Sequence, residues 1–136
     1  MIEQAVLTYL LTAVGSLVNN QIYYHRVPAN TKMPWIVITN SGGMRKKQTM
    51  DNKTEATDTL TIYVDDNQQF RGKTIADAVQ SALENYRGDM PPAPAAPIAY
   101  DTFFRTATTR DLDDPFDAFR YLLTVYCIYR FATTTH

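Results

Sequence analysis

The chain has 136 residues, 13 of them basic and 14 acidic, for a net charge of -1, which excludes a global field strong enough to draw it onto nucleic acid or an anionic membrane. Hydrophobic residues make up 45% and charged residues 20%, so the chain as a whole is not disordered, and its length suits one domain, 1–136, around a single core. The lone cysteine, Cys127, leaves no internal disulfide and no Cys/His metal spacing.

The N-terminus carries Glu3 where a signal peptide needs basic charge, and Thr8 and Thr12 interrupt its apolar run. Neither a signal sequence nor a span of about 20 apolar residues is predicted, and synthesis in the cytoplasm is the expectation. Ile2, Val6, Tyr9, Leu10, Ala13, Val14, Leu17 and Val18 recur at helical spacing, which predicts an amphipathic helix over 2–18 ending near Asn19 and Asn20. Residues 21–27 read as a short strand stopped by Pro28, and 28–33 as a loop.

Pro34 introduces a strand over 35–40. A second begins at Thr59, where Leu60, Ile62 and Val64 alternate with Thr59, Thr61 and Tyr63. Between them, residues 41–58 are almost wholly polar, with Met44, Met50 and Ala56 the apolar exceptions. A connection of that length without a hydrophobic pattern predicts a protruding arm, mobile in the free subunit and ordered by a partner, because it cannot bury enough surface to offset its own ordering entropy.

Asp66 or Asn67 is placed to cap a second helix, with Ile75, Ala78, Val79, Ala82, Leu83 and Tyr86 on one face and Gly88 at a left-handed stop. Prolines in 89–97 predict a stiff connector. Residues 98–109 and 116–131 read as strands separated by an Asp-rich turn at 111–115, and Phe119, Tyr121, Leu123, Val125, Cys127, Tyr129 and Phe131 share one face of the last. The predicted fold is α+β: an antiparallel sheet of about four to five strands, two helices on one face, and the long arm.

No catalytic constellation stands out. His25 lies in a short strand and His136 at the terminus, and Cys127 sits on an apolar face, so a surface imidazole and a core thiol are the plainer readings. Asp111, Asp113 and Asp114 lack the Gly and distal Glu of a calcium loop and suit a solvated turn. Asp65 and Asp66 are better explained as strand-end and helix-cap residues than as paired catalytic acids. The basic run Arg45, Lys46, Lys47 is offset by Asp51, Glu55 and Asp58, which favours protein contact over phosphate. Gly42 and Gly43 precede no GK[ST] and do not form a phosphate loop.

The opening IEQAVLTYLL, the proline-led strand in IYYHRVPANTKMPWIVITNSGG, the strand-into-helix DTLTIYVDDNQQFRGKTIADAVQSALE and the final FRYLLTVYCIY together resemble the tail-completion or tail-terminator proteins of long-tailed bacteriophages. The resemblance spans about 2–131 and implies a structural virion protein with no catalytic, metal or cofactor-binding residue. It implies a homo-oligomeric ring, commonly of six subunits, that ends the tail tube and joins it to the neck or head-completion protein, with DNA passing through the bore unbound. Its location would be the head–tail junction of the virion, with no membrane. The Pro-rich 89–97 departs from the family pattern. The arm and the outward half of the alternating strand supply the partner-interface candidates: Met44, Arg45, Lys46, Lys47, Met50, Lys53, Thr59, Thr61 and Tyr63. The alternatives are a head-closure or connector protein of the neck, and a small α+β ligand-binding domain or enzyme.

Overall fold

The computed structural model describes residues 2–48, 53–91, 96–114 and 118–132, with backbone alone for 44–48, 53, 107–114, 118 and 132. In chain order the elements are α1 (Ile2–Val14) followed by a 3-10 turn (Gly15–Val18), β1 (Ile22–Tyr24), β2 (Trp35–Gln48) and β3 (Lys53–Asp66). Then come α2 (Gln69–Glu84), β4 (Arg87–Met90), β5 (Ala99–Asp114) and β6 (Ala118–Ala132). The strands form one six-stranded sheet in the order β1-β2-β3-β6-β5-β4.

Both helices cover one face of that sheet. Leu10 and Val6 of α1, and Ile75, Val79 and Leu83 of α2, join Ile36, Ile38, Leu60, Ile62, Val64, Leu123, Val125 and Cys127 in one buried cluster. Each fully buried aliphatic side chain there contributes about 1.5–3 kcal/mol. The inward face predicted for the last strand is found at Tyr121, Leu123, Val125, Cys127 and Tyr129, with Phe119 and Phe131 partly buried at its ends. Tyr9 ties the helices together: its hydroxyl donates to the Ala82 carbonyl at 2.8 Å and its ring lies 4.6 Å from that of Tyr86.

Several expectations are corrected. The polar stretch 41–58 is not a free arm, because β2 continues to Gln48 and β3 begins at Lys53, leaving only 49–52 outside the described residues. β3 is paired on both sides along this far half, with Met44↔Thr57 and Arg45↔Ala56 toward β2 and Thr54↔Phe131, Ala56↔Tyr129 and Asp58↔Cys127 toward β6. Backbone pairing with a strand some seventy positions later, not local apolar pattern, makes these residues a sheet. Ala56 and Asp58 are buried there. Gly42 (φ 110°) and Gly43 sit at a β-bulge after Asn40, and a Cβ on Gly43 would overlap Asp58 Oδ1 and the Thr57 carbonyl.

The sheet has six strands rather than four to five, since the residues read as a helix stop and connector, Arg87 to Met90, form β4, with Gly88 (φ 136°) at a bulge inside it. It is not wholly antiparallel: β1 runs parallel to β2. The first helix ends at Val14 and tightens into the 3-10 turn before Asn19 turns left-handed (φ 52°). The second begins after Gln68, not after Asp66 or Asn67, because Asp66 is the buried last residue of β3. The predicted Asp-rich turn is strand as far as Asp114, and residues 115–117 lie outside the described ones, as do 92–95 of the connector and the tail 133–136.

The four long strands are nearly flush at both ends. Trp35, Asp65, Arg120 and Leu112 stand level at one end, and Gln48, Thr54 and Phe131 at the other. The two outermost strands are short: β1 covers β2 only at Ile36, Val37 and Ile38, and β4 covers β5 only between Ala99 and Phe103.

Candidate assembly surface

The face of the sheet opposite the helices carries the alternate residues of each long strand. Val37 and Thr39 of β2, Thr59, Thr61 and Tyr63 of β3, and Leu122, Thr124 and Tyr126 of β6 lie on it, as the register pairs Val37↔Tyr63, Tyr63↔Leu122, Thr61↔Thr124 and Thr59↔Tyr126 require. Among the described residues no helix covers this outer face. Its floor is nonetheless well ordered by cross-strand contacts: Val37 is buried, and the Thr39 hydroxyl donates to the Thr61 carbonyl at 3.3 Å.

At one end the ten-residue connection from β1 to β2 arches over this face and encloses an open groove of about 590 Å³, lined by His25, Arg26, Pro28, Met33, Trp35 and Tyr63 among others. Gln21 pins the connection, its Nε2 donating to the carbonyls of Lys32 and Pro34, both at 2.8 Å. His25 takes a left-handed conformation (φ 71°) as the chain leaves β1 while its N–H still reaches the Ile38 carbonyl.

The groove is closed at its end by three neighbouring strands acting together. Asp65, with a fully buried side chain, accepts from Arg120 Nε at 2.7 Å and Nη2 at 3.0 Å, and from Trp35 Nε1 at 2.8 Å. The Arg120 guanidinium also lies over the Tyr63 ring, 4.7 Å from its centroid. A carboxylate held by three donors fixes the strands that carry them. Asp66 is bound in the same manner on the helix side, accepting from Arg71 Nε and Nη2 at 2.7 Å and from the Gln68 N–H at 3.1 Å. That pairing holds the Arg71 pKa above its ordinary value and fixes the entry to α2.

Sequence reasoning named Thr59, Thr61 and Tyr63, which the sheet brings together on the outer face, half-buried. Met44, Arg45, Lys46 and Lys47 lie apart from them, along the far half of β2, Lys53 opens β3 opposite Ala132, and Met50 lies outside the described residues. Trp35 and Arg120 were missed, and Asp65 was read as a strand-end residue, where the structure places it, but without its partners. A signal was present: Arg120, Leu122, Thr124 and Tyr126 alternate with the inward apolar set, and a charged residue at the start of such a face invites a search for a carboxylate on the neighbouring strand.

The residues weighed for catalysis are dispersed. Cys127 is buried, and burial together with the nearby Asp58 pushes its thiol pKa well above the usual range. Asp58 accepts from the Tyr129 hydroxyl at 2.7 Å inside the core, and His25 is exposed at the groove rim. Among the described residues no three His, Cys, Asp or Glu side chains cluster to hold a metal ion, and no helix is long and apolar enough to cross a membrane.

In this α+β chain two buried carboxylates are paired with arginines, Asp65 with Arg120 and Asp66 with Arg71. Residues 4–130 match the family described as Tail completion protein gp17, and the chain belongs to that family. It is a structural protein of the bacteriophage tail, and its place is in the virion tail. A chain of the solved virion of a native gene transfer agent (GTA) particle shares the fold, with a TM-score of 0.62 and 17% identity over 93% of this chain and 92% of that one. No curated protein matches the sequence.

Proposed function

We propose that the protein forms a closed ring, of six subunits, that ends the finished tail tube and joins it to the neck of the head. The observation that carries this reading is the family match across residues 4–130; the presence of the same fold in a gene transfer agent virion supports it. A ring at this junction needs a wall past which DNA slides without being held, and the outer face suits that wall. Its hydroxyls include Thr39, Thr59, Thr61 and Thr124, and of its arginines Arg120 is matched by Asp65 and Arg130 by Asp101 at 3.2 Å, while Arg105 stands opposite Tyr126. The partners in this reading are further copies of the chain, the tail tube protein and a neck protein, and none of the side chains is catalytic.

Native mass spectrometry of the purified protein, with and without tail tubes that lack it, tests the proposal. A closed oligomer that caps tube ends is the expected outcome. A strict monomer that never associates with tubes overturns it, and binding to tail-less heads but not to tubes would place the protein on the neck side instead.

A further inference from the structure

The free backbone of this sheet is distributed in an unusual way. β2 is paired to β3 along its length, yet beyond Ile38 no described strand lies on its other side, so residues 39–48 form an open edge. β5 is paired to β6, and beyond Phe103 no described strand lies on its other side from 104 to 114. Such edges present rows of N–H and C=O groups and are normally short, covered, or blunted by proline, charge or β-bulges. Here bulges interrupt β2 between Asn40 and Gly43 and between Arg45 and Gln48, and β5 between Thr106 and Thr108. The Gly42 N–H is taken by Asn40 Oδ1, so the segments between the bulges are the ones free to pair. Each edge is about ten residues long, the two lie on opposite sides of the same sheet, and β1 and β4 cap only the other half of each strand, at opposite ends of the molecule.

We propose that neighbouring copies join edge to edge, the open half of β2 in one subunit pairing with the open half of β5 in the next, so that one sheet runs on through the ring. This deepens the ring reading and rests on it. The occupant is a second copy because one chain carries both halves of the match, and the two edges fit by direction. Each long strand is antiparallel to its neighbour, so β2 and β5 run opposite ways and an equally oriented neighbour offers β5 antiparallel to β2. Because the two surfaces differ, the contact is head-to-tail and closes by rotation.

Position decides the register. Thr39 to Gln48 stand level with Thr61 to Thr54 of β3, whereas Phe104 stands level with Asp58 and Asp113 with Asp66. Bringing the two open halves into line therefore needs a slip of about five residues, or ~16 Å at ~3.3 Å per residue. That slip also carries β1 and β4 toward the ends of the neighbour's strands instead of alongside their middles. Spread over four strands about 4.8 Å apart, it inclines the strands by about 40°, within the ~35–45° tilt of closed barrels.

Twist points the same way. A twisted sheet lifts two diagonal corners toward one face and drops the other two. α1 touches both β1 and β4, so the capped corners close over the helices. The open corners belong to the diagonal that turns away, toward the outer face, which would then line the bore with the helices outside. Arg45, Lys46 and Lys47 fall on the pairing strand itself.

A disulfide scan reads the register. Thr39→Cys is combined in turn with Leu112→Cys, Asp113→Cys and Asp114→Cys, the buried native Cys127 taking no part. One of these pairs should give, on oxidation, a ladder of covalent multimers ending at the ring, while each single variant stops at dimers. On the unmodified protein, amide exchange over 39–48 and 104–114 should slow at least ~10-fold between dilute subunit and ring. A ring of correct mass with no ladder in any register, and with both edges exchanging as in the free subunit, overturns edge pairing and leaves the ring standing. Failure to associate at any concentration, with or without tubes, overturns both.

Discussion

The buried carboxylates decide what single substitutions do. Asp65 is held by Arg120 and Trp35 with no exposed side-chain surface, whereas the Arg120 side chain is 36% exposed. Removing the arginine strands a charge in the sheet, so Arg120→Leu should cost about 2–4 kcal/mol in urea unfolding. Adding Asp65→Asn to that variant should recover part of the loss, and a cycle with no coupling would show that the pair contributes nothing. Cys127 gives a pH signature. Its folded pKa is raised by burial and by Asp58, so its contribution is complete below the unfolded thiol pKa of about 8.5 and is lost as pH rises above it, because only the unfolded state then releases the proton. Between pH 8.5 and 9.5 the wild type should lose about 1 kcal/mol relative to Cys127→Ala, while the variant should be about 1 kcal/mol weaker at pH 7. Parallel curves for the two proteins would show that the thiol ionises as freely in the fold as outside it.

At the scale of elements, β2 and β3 carry the main correction to the sequence reading. Their near halves were legible because Ile36, Ile38, Leu60, Ile62 and Val64 alternate into the core. The far halves were not, because what makes residues 53–58 a strand is pairing with Arg130, Tyr129 and their neighbours on β6, and local periodicity carries no trace of a distant partner. β4 was hidden for a related reason: Gly88 and the prolines after it dominate the local signal, while Met90 is buried in the core. Shortening 44–53 to a turn should therefore destabilise the isolated subunit instead of sparing it. In exchange experiments on the unshortened isolated subunit, 54–60 should be protected by pairing on both sides while the amides of 39–48 that point away from β3 exchange fast. Gly43→Ala should cost more than about 2 kcal/mol, since its Cβ meets backbone and the Asp58 carboxylate. Gly42 has free space, and an alanine there bears only the strain of its positive φ, about 1 kcal/mol. Equal losses at the two positions would mean that the bulge relaxes.

For the whole molecule, sequence pattern alone reached the family, because the proline-led strand and the strand-into-helix segment are local and survive as β2 and as β3 running into α2. The outer face was legible only in part: Thr59, Thr61 and Tyr63 showed in the alternation, but their level with Thr124 and Leu122 is a property of the sheet. If that face lines the bore, a charge placed on it is repeated by the ring's symmetry around the DNA path. Thr59 is half-buried opposite Tyr126, so a lysine can extend from it into solvent with little cost to folding. The wild-type ring should bind duplex DNA more weakly than the variant at about 150 mM salt, since Arg120 and Arg130 on this face are already ion-paired. The Thr59→Lys ring should bind duplex DNA with an affinity that falls steeply as salt rises, and with one duplex per ring, because a ring has one bore to thread; the dissociated variant, with one added charge per subunit, should not. Anisotropy titrations in a salt series, with native mass for stoichiometry, read each of these. Several duplexes per ring would put the outer face on the outside, and wild-type binding as strong as the variant's would refute a wall that DNA slides past.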